Sequence, residues 1–251
     1  MKKIIMGIAA VTILFSLSTA EAYDGRIPFY LEIESGAVFT GYNDARIPGD
    51  EGTKFSLSEE LEADPEWYWR LRAGFLFAEK HYAGAVIAPL TVHSSGKPDR
   101  DLRFKNTTFD EGEKTDAAFK FNSYRLLYRY IGYNKNNLRA GIGVTAKIRH
   151  ASIKLKSENG KAEKKDLGFV PIVNFMLHWN FTRSLGFLID GDALAAPQGR
   201  AADILFALTF DMSDTVQARA GYRILEGGAD NDEVYTFSMF HYASAGLMYR
   251  F

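Results

Sequence analysis

The stretch YTFSMFHYASAGLMYRF, residues 235–251, alternates strictly from end to end. One face carries Tyr235, Phe237, Met239, His241, Ala243, Ala245, Leu247 and Tyr249. The other carries Thr236, Ser238, Phe240, Tyr242, Ser244, Gly246, Met248 and Arg250. Successive side chains of a strand point to opposite faces, so a period of two predicts a strand and sorts its residues by face. The first face has aromatic residues at its ends and small or aliphatic ones between. That is the pattern of a strand that meets lipid, with an aromatic girdle at each interface.

The same alternation recurs along the chain. Trp67, Trp69, Leu71, Ala73, Phe75 and Phe77 share one face, and Arg70, Arg72 and Gly74 the other. Ala140, Ile142, Val144, Ala146 and Ile148 alternate with Arg139, Gly141, Gly143, Thr145, Lys147 and Arg149. Phe169 to Trp179 and Ala202 to Phe210 behave alike, with Asn174, His178, Asp203 and Asp211 on the second face. A soluble sandwich would place Lys, Glu, Thr and Ser on its outward positions. Here the apolar face must meet something greasy, and an arginine face cannot be a dry core without partners.

The pattern predicts ten strands, at 28–41, 66–79, 81–93, 118–133, 137–157, 163–180, 184–195, 201–212, 215–226 and 233–251. Eight or twelve remain open, because the middle strands could be divided differently. Short turns fall near Glu79-Lys80, Asn134 to Asn136, Thr182-Arg183 and Asp211 to Asp214. The longer connections are 42–65 and 94–117. Lipid offers no partner to an open sheet edge, so the expected fold is all-β, a closed antiparallel transmembrane β-barrel. Short turns then lie on the periplasmic side and long loops outside. The stretch Phe55 to Leu61 alternates weakly and reads either as a strand above the membrane or as a plain loop.

The amino terminus supports export. Lys2 and Lys3 precede an apolar run from Ile4 to Leu17, and Ala20-Glu21-Ala22 offers a small-x-small cleavage site. Residues 1–22 are expected to be a signal peptide and 23–251 a single barrel domain. Cleavage after Ala22 would reduce 30 basic and 31 acidic residues to 28 and 30. That near-neutral balance gives no basic stripe for nucleic acid. The chain has no cysteine, which excludes disulfides and a lipoprotein anchor.

The last residues, Tyr249-Arg250-Phe251, resemble the terminal signal by which bacterial outer-membrane barrels are recognised for insertion. The chain as a whole resembles the uncharacterised small outer-membrane β-barrel proteins of diderm bacteria. The resemblance implies an outer-membrane location, outer-membrane lipid and the assembly machinery as partners, and Phe251 as the assembly signal. It names no surface ligand and no cofactor.

Taken literally, the alternation sends Glu32, Glu34, Arg70, Arg72, Arg125, Arg129, Arg139, Lys147, Arg149, Asn174, His178, Asp190, Asp192, Asp203, Arg219, Arg223 and Arg250 into the lumen. Barrels near eight strands are filled by side chains, whereas open aqueous channels have sixteen or more. The expectation is a lumen largely filled by a paired polar network, with an anion-attracting channel as the alternative. At the rim, His93 beside Ser94 and Ser95, together with Glu226 and His241, supplies raw parts for a hydrolase. Spacing cannot show whether such groups converge, and no stretch matches the motifs of the ten-stranded omptin proteases. Asp230, Asp232 and Glu233 are too few and too close for a calcium loop. The expected role is structural or surface-binding, through loops 42–65 and 94–117. A narrow solute channel and a lipid or peptide hydrolase are the alternatives.

Overall fold

A computed structural model describes residues 28–197 and 199–251. The expected signal peptide, residues 1–22, lies outside the described residues. The described residues form fourteen strands: β1 (Phe29–Arg46), β2 (Phe55–Ser56), β3 (Glu66–Phe77), β4 (His81–Ala88), β5 (Thr91–Gly96), β6 (Leu102–Phe104), β7 (Thr107–Phe109), β8 (Thr115–Lys135), β9 (Leu138–Lys156), β10 (Lys161–Asn180), β11 (Leu185–Ala196), β12 (Gly199–Asp211), β13 (Val216–Asn231) and β14 (Val234–Arg250). Among the described residues there is no helix.

Ten antiparallel staves close the barrel in the order β1, β3, β4, β8, β9, β10, β11, β12, β13, β14 and back to β1. Pro89 and Leu90 separate β4 from β5, and both of those strands pair with β8. The seam runs from Tyr30 opposite Arg250 to Arg46 opposite Tyr235, with an irregularity between Thr40 and Tyr42. Gly36 sits in this seam at φ +151°, where a Cβ would stand 2.0 Å from the Ala243 carbonyl oxygen. Only glycine lets the first and last strands approach so closely.

The outer surface is the one the alternation predicts. Trp67, Leu126, Ile142, Phe169 and Leu208 are each at least 60 % exposed. In water such a surface would be an extensive apolar patch. Around a closed sheet it is the lipid-facing band of a transmembrane β-barrel.

The staves run further than the side-chain pattern predicts. β1 continues to Arg46 rather than 41, β8 begins at Thr115 rather than 118, and β13 reaches Asn231 rather than 226. Beyond the lipid, strands need only backbone partners, so the ladder outlasts the apolar-polar alternation. The long loops are also less open than expected. Leu102–Phe104 and Thr107–Phe109 form a small hairpin, and Phe55–Ser56 adds to the edge of β1. The weakly alternating Phe55 to Leu61 is therefore a two-residue strand followed by a turn.

Candidate functional site

The lumen has three levels. At mid-height lies a ring of charges, and each member is at most 8 % exposed. Strand periodicity puts Glu32 and Glu34 of β1 on the inner face, beside Arg72 and Arg70 of β3 in the ladder. Their main partners nevertheless come from elsewhere. Arg223 clamps Glu34 through its Nε and Nη2, both at 2.8 Å, and reaches Asp203 at 2.5 Å. Arg219 joins Glu34, at 3.3 Å, to Glu32. Arg72 lies 3.8 Å from Glu32 and grips both oxygens of Asp190, at 2.9 and 3.0 Å.

Arg129 completes the circuit. It donates to Asp190 at 3.1 Å and to the Asn174 side-chain oxygen at 2.6 Å. The Asn174 amide donates to Asp192 at 2.8 Å. Asp192 accepts from Arg125 at 2.6 Å, and Arg125 returns to Asp203. The contacts thus form one closed loop, with Arg70 attached to Asp203 at 2.9 Å. Asp192 and Asp203 face each other directly across the β11–β12 ladder. Like charges so placed repel, and the Arg125 guanidinium lies between them as their common partner.

Above the ring is an apolar cap. Phe55, Leu57, Leu61, Leu102, Phe104 and Phe109 from the two long loops are each at most 2 % exposed. They pack with Val38, Tyr68, Phe119, Leu155, Phe240 and Tyr242 of the staves. Phe55 meets Phe104 edge-on at 6.0 Å. Outside the cap, Arg100 pairs with Glu60 at 2.9 Å, and that hydrogen bond raises the guanidinium pKa.

Two cavities flank this packing, and no described residue lines both. The lower one, of about 420 Å³, opens towards the short turns and is lined by Tyr30, Arg139, His178, Asp211 and Arg250, among others. The upper one, of about 130 Å³, lies beside the cap and is lined by Lys147, Arg149, Lys164, Arg200, Asp166, Glu226 and Glu233 together with apolar groups. A space of about 20 Å³ between ring and cap is room for about one water molecule.

Eleven of the charged residues expected in the lumen therefore meet in the ring: Glu32, Glu34, Arg70, Arg72, Arg125, Arg129, Asp190, Asp192, Asp203, Arg219 and Arg223. Asn174 joins them. Arg139 stands apart in the lower cavity, and its Nε has no partner among the described residues. His178 bonds Thr209 at 3.0 Å and Arg250 bonds Asp211 at 3.2 Å, also at that level. Arg149 pairs with Asp166 near the mouth, and Lys147 lines the upper cavity. Sequence reasoning missed Tyr68, which donates to Glu34 at 3.0 Å, Thr145, which donates to Asp192 at 2.6 Å, and Ser123, which accepts from Arg125 at 2.8 Å. Their inward positions were readable from the period of two, but charge drew attention away from hydroxyls.

The rim residues do not converge. His93 Nδ1 lies 2.6 Å from Glu66, while Ser94 is buried on the opposite face and Ser95 bonds Asp116. His241 pairs with the Tyr222 hydroxyl on the outer wall. Glu226 accepts from Tyr42 at 2.6 Å and Arg200 at 2.7 Å. At the other end, the Phe251 amide donates to the Phe29 carbonyl at 2.9 Å and its ring is 72 % exposed.

An apolar-walled, closed barrel of ten staves with an ion-paired interior defines a small transmembrane β-barrel. No protein-family model matches the chain, and no curated protein matches it. Solved structures do. The outer membrane protease OmpT from Escherichia coli shares 10 % identity over 89 % of this chain and 97 % of that one, with a TM-score of 0.47. Neisserial surface protein A shares 12 % over 89 % and 97 %, with a TM-score of 0.37. Ail, the attachment invasion locus protein of Yersinia pestis, shares 12 % over 88 % and 98 %, with a TM-score of 0.37.

Proposed function

We propose that this protein is exported by a cleaved signal peptide to the outer membrane, and that it acts there as a shut barrel presenting a capped mouth to the exterior. The observation that carries this reading is the closed circuit of ion pairs and hydrogen bonds at mid-lumen, with cavities on either side that share no described lining residue. The alternative of a solute channel needs a continuous bore, and a bore this narrow is filled by its own side chains. The cap refines the surface-binding role expected of loops 42–65 and 94–117. Their apolar residues turn inward, so the face offered to a partner is the polar one, which includes Glu51, Asp99, Arg100 and Arg103. Outer-membrane lipid and the assembly machinery are the partners this reading requires, and Phe251 is its assembly signal.

One mutant separates the shut barrel from the channel. Arg129→Ala leaves Asp190 and Asn174 each short of a partner. The shut barrel predicts a lower unfolding midpoint in detergent and no large conductance in planar bilayers. Unchanged stability with a shifted reversal potential would overturn the reading in favour of an anion channel. Location is tested separately. Cysteines placed at Thr107 and Asp230 should react with an impermeant thiol reagent on intact cells, and those at Asn136 and Ser213 only after the outer membrane is opened. Recovery of the wild-type protein in the soluble periplasm would sink the assignment. Deleting Phe251 should reduce the heat-modifiable, membrane-inserted fraction.

A further inference from the structure

The ring sets six arginines against five carboxylates, and a further cation stands beside it. Lys147 is 3 % exposed and makes no hydrogen bond or ion pair with any described residue. It stands directly across the β8–β9 ladder from Arg125, whose guanidinium is already engaged by Asp192 and Asp203. Its nearest charged strand neighbour on the same face, Arg149, is engaged by Asp166. Like charges opposed on a ladder destabilise it, and the carboxylates nearest Lys147, Asp192 and Asp203, are already engaged by arginines. Its Nζ lies 4.9 Å from the centre of the Phe121 ring and lines the upper cavity.

That cavity has apolar walls from Phe119, Phe121, Ile153, Leu225 and Phe240. Its other charged residues pair among themselves, Arg149 with Asp166, Lys164 with Glu233 and Arg200 with Glu226, which leaves Lys147 as the excess cation. Its volume is about 130 Å³, close to the roughly 150 Å³ of an engineered apolar cavity that takes benzene. The barrel wall beside it is low. β10 pairs with β9 from Lys161 to Trp179, but with β11 only from Val173 to Asn180. The upper half of β10 therefore has a partner on one side only. Pro171, which has no amide hydrogen to leave unbonded, falls in this stretch, as prolines do on sheet edges. Among the described residues this leaves a side window above the β11–β12 hairpin. Arg200 and Ala201 form its sill, and Lys164 reaches Glu233 at 3.7 Å over its top.

We propose that the upper cavity is a binding site for a small aromatic monocarboxylate. The ring of such a ligand would fill the Phe119–Phe121–Phe240 pocket and its carboxylate would meet the Lys147 ammonium. The side window gives access, so no movement of the cap or the ion-paired ring is required. The chemistry follows from the pairing of one unmatched cation with one benzene-sized apolar space. A neutral arene would leave the ammonium unpaired, and a small inorganic anion would leave the pocket empty. The proposal goes beyond the shut-barrel reading and does not depend on it, because binding is read without a membrane potential or a conductance.

The test is fluorine NMR titration of 4-fluorobenzoate against the refolded full-length barrel in detergent micelles, with 4-fluorobenzamide as the neutral counterpart. Line broadening should be saturable for the benzoate and about tenfold or more weaker for the benzamide, as expected for loss of a hydrogen bond to a charged group. Lys147→Met should reduce benzoate binding to the benzamide level, and Lys147→Arg should retain it. Ala201→Phe, which fills the sill and leaves Lys147 in place, should remove both ligands; it carries the test if Lys147→Met does not give a heat-modifiable barrel. Equal binding of benzoate and benzamide would overturn the proposal. So would wild-type affinity in Lys147→Met or Ala201→Phe, displacement by inorganic phosphate as effective as by benzoate, or absence of saturable binding.

Discussion

The cap and the ring close the same bore with opposite materials. Phe104 and Phe109 of the cap are fully buried among carbon, whereas Arg223 and Glu34 of the ring are just as buried among charges. The cap is held by area, which is lost in proportion to what is removed. The ring is held by matching, and removal of one partner strands another charge away from water. A defect in the cap should therefore stay local. A defect in the ring should be felt by staves on both sides of the barrel.

The largest expected effect is that of Arg223→Ala. It removes the shorter bond from both oxygens of Glu34, which keep only Tyr68 and a longer contact to Arg219, and it strands one oxygen of Asp203. Breaking a buried pair costs about 3–5 kcal/mol, and the unfolding midpoint of the whole barrel should fall accordingly in a urea titration. Adding Glu34→Gln should recover part of the loss. Equal midpoints for wild type and Arg223→Ala would mean that water replaces the guanidinium and that the ring is wet.

Phe104→Ala comes next. Emptying such a site costs about 3–5 kcal/mol locally. The cost should appear as faster proteolysis within 97–114, with a smaller shift of the barrel midpoint than for Arg223→Ala. A midpoint shift as large as that of the ring mutant would erase the distinction between the two levels. Gly143→Val tests the ring by crowding. A Cβ at Gly143 would stand 1.9 Å from the Tyr128 carbonyl oxygen and 2.7 Å from the Arg129 Cα. Overpacking of this kind costs about 1–3 kcal/mol, to be read as a reduced refolding yield and midpoint. The smallest effect belongs to the rim. Arg100→Ala breaks an exposed pair with Glu60 and should change stability by under about 1 kcal/mol.

The two levels also differ in how far the sequence reveals them. Alternation fixes which face a residue takes, so the inward direction of Glu34, Arg125 or Asp203 is legible from a period of two. It does not fix height. Arg139 and Arg149 alternate on the same face of β9, yet one stands below the ring and the other near the mouth. Nor does it fix partners. The ladder sets Glu34 beside Arg70, but a long guanidinium reaches past its neighbour, and Arg70 ends on Asp203. The cap was less legible still. Leu102, Phe104 and Phe109 sit in a segment with no sustained period. An apolar residue in such a loop can face a partner, the lipid or its own barrel, and only tertiary packing decides which.

The ring has a mechanical meaning. β3 lies halfway round the barrel from β11, and the Arg72 clamp on Asp190 joins these two staves directly. Arg70 and Arg125 likewise tie β3 and β8 to β12 through Asp203. An empty barrel resists a change of girth only through its hoop of backbone ladders. This one has spokes as well. Flattening or dilating its cross-section would lengthen charge-assisted bonds of nearly fixed span, so the wheel cannot go out of round while the spokes hold.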